Sequence, residues 1–156
     1  MADNTDTQVT VERTIDASAD AIFDVLSNPK RHVELDGSGF IRSDERTNRI
    51  QAVGDVFTMN MSRPAEGREY QTDNHVTGFD HNKLLVWQTA PAGAEPPGWE
   101  WVWRLEVQGP DQTLVTHTYD WSKVTDKAVL EKAKFPLVTR PQLEDTLGRL
   151  AAAVSG

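Results

Sequence analysis

Apolar and polar residues alternate along Trp99-Glu100-Trp101-Val102-Trp103-Arg104-Leu105-Glu106-Val107. A strand sends successive side chains to opposite faces. Trp99, Trp101, Trp103, Leu105 and Val107 therefore share one face, and Glu100, Arg104 and Glu106 take the other, with Val102 as the exception. A row of indoles covers more area than one neighbouring strand can bury, so this face requires a thick partner. Two arrangements supply one. The indoles either fill a core between sheet and helix, or line an apolar cavity carrying a few polar groups.

The rest of the chain is organised to meet that need. Gln8 to Ile15 alternates with Val9, Val11 and Ile15 apolar, the pattern of a first strand. Ser18 is placed to cap a short helix whose buried stripe is Ile22, Val25 and Leu26, with Asp20 in its first turn. Asn28-Pro29 stops that helix, and Pro29 can open a second through Lys30 to Leu35. After the turn Asp36-Gly37-Ser38-Gly39 come strand patterns at 40–44, 54–62, 69–79 and 83–89, with Phe57, Met59 and Met61 on one face of the second. The segment 90–98 holds Pro91, Pro96 and Pro97 and reads as an irregular loop at a rim. Gly109-Pro110-Asp111 turns the tryptophan strand into another at 112–121, so hairpin-spaced strands predict an antiparallel sheet. Lys127 to Lys134 forms a short helix or lid, broken at Phe135-Pro136. Pro141 to Val154 is the strongest helical pattern, with Leu143, Leu147, Leu150 and Val154 along one side. Gly148 costs such a helix about 1 kcal/mol relative to alanine, which predicts the close approach of another backbone there.

Strand, two short helices, a run of antiparallel strands and one long amphipathic helix make an α+β plan. A twisted sheet of this length curls, so the last helix is expected across its concave side. The stretch Val11-x-Arg13-x-Ile15-x-Ala17-Ser18-Ala19-Asp20-Ala21-Ile22-Phe23-Asp24-Val25-Leu26-Ser27-Asn28-Pro29 resembles the N-terminal signature of the START-like (SRPBCC) superfamily, also called polyketide cyclase/dehydrase and lipid transport proteins. Trp99-x-Trp101-x-Trp103-x-Leu105, Thr116-His117-Thr118-Tyr119-Asp120-Trp121 and the terminal Leu147-x-x-Leu150-Ala151 agree with it. The resemblance spans nearly the whole chain. It implies a helix-grip fold, a curved antiparallel sheet wrapped around a long C-terminal helix, with a cavity between them. It also implies hydrophobic ligands such as lipids, sterols or polyketides. It transfers no catalytic motif.

Composition narrows the partners. The chain has 156 residues, with 16 Lys and Arg against 24 Asp and Glu, a net charge of −8. That length suits a single domain at 8–156 after a disordered tail at 1–7. The acidic balance repels phosphate backbones and anionic headgroups, which argues against nucleic acid and membrane surfaces. Cysteine is absent, so disulfides and thiolate chemistry are excluded. No stretch approaches the roughly 18 apolar residues of a spanning helix, and nothing at the N-terminus resembles a signal peptide. The expectation is a cytoplasmic protein, monomeric or weakly dimeric, without stable membrane insertion.

Candidate chemistry is sparse. His117 and Tyr119 share parity with Val115 and Trp121. Facing inward they could orient a ligand or move a proton; alternatively Tyr119 reaches a rim and His117 is satisfied by backbone. The turn before them does not set the register, and a one-residue slip exchanges the faces. The two faces of 69–79 are equally ambiguous, and His75 is expected in solvent. His32, Glu34 and Asp36 alternate without metal-site spacing and read as a wet surface. No catalytic residue, metal or cofactor is assigned. The candidate ligand-binding residues are Phe57, Met59 and Met61; Trp87, Trp101, Trp103 and Leu105; His117, Tyr119 and Trp121; and Leu143 with Leu147. A carrier or sensor of a hydrophobic small molecule is the leading reading. A polyketide cyclase or dehydratase using His117 or Tyr119 comes second, and a protein-interaction module built on the 90–98 loop third.

Overall fold

Seven strands form one antiparallel, curved sheet in the order β1-β7-β6-β5-β4-β3-β2. The computed structural model describes residues 7–45, 47–63, 67–133 and 135–155, with residue 133 described by its backbone alone. In chain order the elements are β1 (Gln8–Ile15), α1 (Ala19–Leu26), a 3-10 turn (Pro29–Arg31), α2 (His32–Leu35), β2 (Ile41–Glu45), β3 (Val56–Arg63) and β4 (Arg68–Asp80). They continue with β5 (Leu84–Pro91), β6 (Glu100–Gly109), β7 (Gln112–Asp120), α3 (Lys127–Ala133) and α4 (Arg140–Val154). Of the expected N-terminal tail, residues 1–6 lie outside the described residues, and so does Lys134 at the end of the expected lid helix. Thr7 is described, and its carbonyl accepts a hydrogen bond from Trp121 N at 2.9 Å.

The strand order explains where the helices lie. β1 and β2 are consecutive strands but occupy opposite edges of the sheet. The chain between them must cross the whole concave face, and α1 and α2 are that crossing. Ser18 caps α1 as expected, its Oγ accepting from Ala21 N at 3.1 Å, and Ile22, Phe23, Val25 and Leu26 are buried. α4 closes the concave side, packing on β1, α1 and α2. Its leucine stripe is sunk in the core, with Leu143, Leu147 and Leu150 at most 2% exposed. The N-terminus of α4 is a capping box. Gln142 N donates to Thr139 Oγ1 at 3.4 Å while Thr139 N donates to Gln142 Oε1 at 2.8 Å.

Several expectations are corrected. Gly148 faces no backbone: a Cβ there would lie 3.7 Å from the Arg13 guanidinium, an ordinary contact. The close approach belongs to Gly37, where a Cβ would collide with Gln142 O and stand 2.9 Å from Thr146 N. Val107 has the parity of the tryptophan face but is 64% exposed. The reason is that β5 starts at Leu84, opposite Arg104, so beyond Leu105 the strand β6 has a neighbour on one side only. Trp99 precedes the strand and packs half-buried against Phe135, with ring centroids 5.5 Å apart. Glu100, on the face opposite the tryptophans, is buried beneath Lys123, which it pairs with at 2.6 Å. Ala90 and Pro91 belong to β5 rather than to the proline-rich loop. At the far edge, β2 is short, and its pairing with β3 shifts register between Ile41 and Ser43.

Candidate functional site

Cross-strand pairing settles which faces point inward. Trp101 stands opposite Tyr119, Trp103 opposite His117 and Leu105 opposite Val115. On the other side of β6, Trp87 faces Trp101 and Leu85 faces Trp103. β4 contributes Thr72, Asn74 and Val76, so His75 lies on the outer face. It is half-buried there, with its Nε2 shielded and without a hydrogen-bond partner, so it is less solvated than expected.

These side chains line a cavity of about 130 Å³ between the sheet and the helices, open to solvent on one side. β3 supplies Phe57, Met59 and Met61, β5 and β6 supply Trp87, Trp101 and Trp103, and β7 supplies His117. Leu26, Leu35, Val138 and Leu143 close it from the helical side. Leu105, Tyr119, Trp121 and Leu147 are buried beside this wall and form no part of it. The half-buried Asp36, Ser38, Phe40 and Ile41 complete the lining where α2 leads into β2. Asp36 shapes that loop, accepting from Ser38 N at 2.9 Å, Ser38 Oγ at 2.6 Å and Ile41 N at 2.8 Å. Gly37 N ties it to α4 through Thr146 Oγ1 at 2.9 Å.

His32 is the residue that pattern reading misplaced. It is buried, stacks on Trp87 at 5.2 Å and meets Phe57 edge-on at 5.4 Å. Its Nε2 donates to Leu26 O at 2.7 Å. The alternation with Glu34 and Asp36 reads as a wet surface, but His32 and Glu34 lie in α2 and Asp36 is the extended residue that ends it. Helical spacing puts His32 beside Leu35 on one side, and that was the signal available. Glu34 meanwhile pairs with Arg31 at 2.6 Å outside the cavity.

The polar groups of the sheet wall mostly satisfy one another. Trp101 Nε1 donates to Thr89 Oγ1 at 3.1 Å, and Thr89 Oγ1 donates to Asn74 Oδ1 at 2.7 Å. Asn74 Nδ2 then donates to Phe57 O at 3.2 Å. His117 is stacked on Trp103 with centroids 3.6 Å apart, and its Nδ1 donates to Val102 O at 3.1 Å. Burial lowers the pKa of His117 to about 3 and that of His32 to about 4, the backbone hydrogen bonds opposing the shift only in part. Both imidazoles are therefore neutral near pH 7. Trp103 Nε1 is buried without a hydrogen-bond partner among the described residues.

Tyr119 serves a different end. Its ring lies flat against Trp101 at 4.2 Å, and its hydroxyl accepts from Leu137 N at 3.3 Å. Burial pushes its pKa up. The phenol holds the segment that leads into α4.

No protein-family model matches the chain. A curated relative, the uncharacterized protein Rv0088 of Mycobacterium tuberculosis, is 33% identical over 113 residues, covering 71% of this chain and 47% of that protein. The chain thus spans about half the length of the curated relatives it matches. Among solved structures, an AHSA1-like protein from Aeromonas hydrophila superposes with a TM-score of 0.62 at 14% identity, covering 95% of each chain. The ginseng major latex-like protein 151 from Panax ginseng gives 0.60 at 13% identity, covering 96% of this chain and 97% of that one. No helix among the described residues is long and apolar enough to cross a membrane. At such identities the likeness is one of fold: the chain has the helix-grip architecture, consistent with the superfamily its sequence resembles.

Proposed function

We propose that the protein binds a small hydrophobic molecule between its sheet and its C-terminal helix, as a carrier or sensor. The observation that carries this reading is the apolar cavity of about 130 Å³ at the centre of the fold. Packed interiors leave few voids larger than a water molecule, and this one is walled by Met, Phe, Leu and Trp side chains. Its size selects among the ligands the family resemblance implies. A dry cavity of about 150 Å³ holds benzene, whereas drug-sized ligands occupy roughly 300–1,000 Å³. A single ring therefore fits the space present. A sterol, a long acyl chain or a fused-ring polyketide requires the loop between α2 and β2 to move away. The groups suggested for proton transfer are poorly suited to it. A general base works best with a pKa near the operating pH, and that of His117 is about 3. The Tyr119 hydroxyl is engaged by backbone.

Titration with apolar ligands graded from toluene through naphthalene to a sterol, followed by tryptophan fluorescence, tests the reading. Saturable quenching by the smallest ligands is expected, because Trp87, Trp101 and Trp103 line the cavity. A flat response to the whole series overturns it. Size-exclusion chromatography with and without ligand checks the accompanying expectation of a monomer or weak homodimer.

A further inference from the structure

The cavity contains two imidazoles in the same electronic state. His117 uses Nδ1 on Val102 O, and His32 uses Nε2 on Leu26 O. A carbonyl oxygen can only accept, so in each ring the bonded nitrogen carries the hydrogen. Each ring is neutral, which leaves the second nitrogen as a bare lone pair. Neither second nitrogen forms a hydrogen bond among the described residues. Both rings are held in plane by a tryptophan, His117 by Trp103 and His32 by Trp87.

The neighbouring Asn74, Thr89 and Trp101 groups are already paired with one another. Among the described residues no side chain donates to the two bare imidazole nitrogens. Aliphatic and aromatic hydrocarbons bring no donor. Carboxylates bring only acceptors, and the imidazole lone pairs repel them. Ammonium groups bring donors, but Asp36, a carboxylate in the lining, is already occupied by three hydrogen bonds from its own loop. A hydroxyl supplies the donor without charge.

We propose, resting on the small-molecule reading above, that the cavity selects a neutral single-ring aromatic alcohol. Its ring lies among Met59, Phe57 and Trp87 and its hydroxyl donates to Nε2 of His117. A net hydrogen bond contributes about 0.5–1.5 kcal/mol, so the hydroxyl is worth up to roughly tenfold in affinity. The alcohol is recognised intact, and no bond is made or broken.

Phenol and toluene, nearly equal in shape, are the probes. Calorimetry on the parent and on His117→Phe, which keeps the stacked ring and removes the lone pair, gives the ratio of their affinities in each. The ratio is expected to shift against phenol by up to about tenfold in the variant. An unchanged ratio overturns the proposal while leaving small-molecule binding intact. Binding of neither probe to the parent fails the underlying reading instead. A second measurement needs no variant. The 15N resonance of His117 Nε2 in the parent should move on adding phenol and stay in place with toluene. Identical responses to the two probes overturn the proposal.

Discussion

The two halves of the concave face are built from the same residue types, but one is filled and the other is hollow. Towards β1, Val115 and Tyr119 are fully buried, together with Leu147 and Leu150 of α4. Towards β3, the equally apolar Phe57, Met59 and Trp87 surround empty space. What stands opposite makes the difference. The long helix α4 packs on β1 along its length, whereas over the other half only its N-terminal part, through Leu143 and Thr146, joins α2, which is one turn long, and the loop after it. Aromatic side chains on a sheet face thus specify neither core nor cavity. The length and placement of the covering helix decide.

Destroying the filled half should have the largest effect. Leu147→Asp puts a carboxylate where the side chain is 2% exposed. Lost packing alone is worth about 2–5 kcal/mol, and desolvating or protonating the carboxylate adds to it. Most domains have only about 5–15 kcal/mol of stability in total, so the variant should be largely unfolded by circular dichroism. Glu144→Ala, which removes an exposed partner 4.0 Å from Arg140, should shift the urea midpoint by far less. Similar small shifts for the two would mean that α4 is not gripped.

Acid should weaken the hollow half selectively. His32 and His117 have folded pKa values of about 4 and about 3, below the ordinary 6.5. As the pH falls below 6.5 the unfolded chain takes up protons that the folded chain refuses. Stability present above pH 6.5 is therefore lost progressively, for His32 down to about 4 and for His117 down to about 3. The hydrogen bond to Leu26 and the charge of Asp36 offset only part of this for His32. Each histidine contributes on the order of 2 kcal/mol between pH 7 and 5. Urea midpoints measured across that interval should fall less steeply in His32→Phe than in the parent. Equal slopes would mean that this imidazole is not buried in its neutral form.

Gly37→Ala sharpens the boundary between the halves. The added methyl group meets the α4 backbone, and overpacking of this kind costs about 1–3 kcal/mol. The loop should detach from Thr146, speeding hydrogen exchange at Gly37 to Ile41 and admitting larger ligands. Unchanged exchange would show that the contact relaxes without opening the cavity. A smaller effect is expected from Tyr119→Phe, which removes one hydrogen bond to Leu137 N, worth about 1 kcal/mol. Ligand affinity should not change, because Tyr119 is outside the cavity wall. A loss of affinity matching that of His117→Phe would place the phenol in the site after all.

Strand parity carried most of the fold. Trp101, Trp103, Phe57 and Met59 alternate with polar residues, and alternation survives whatever the neighbours are. The capped starts of α1 and the leucine stripe of α4 were equally plain, for the same local reason. Register was not legible, since it depends on which residues meet across β4–β5 and β6–β7, and that left His75 and His117 undecided. His32 reads as solvated because two carboxylates alternate with it, although the helix expected from Pro29 through Leu35 already puts it on the side of Leu35. Gly37 was passed over in favour of Gly148, because close approach is a property of the partner helix and leaves no mark beside the glycine itself.

The offset in β2 has a consequence for self-association. A regular edge strand offers a row of free amides and carbonyls to which another chain can add. β2 is short and carries exposed Arg42 and Ser43 at its break in register. On the opposite edge, the Arg140 guanidinium caps the carbonyl of Thr10 at 3.0 Å. Growth of the sheet into a fibril is thus blunted at one edge by irregularity and at the other by a side chain of α4. A variant that loosens α4 would expose β1 first, and aggregates arising from it should grow from the N-terminal strand.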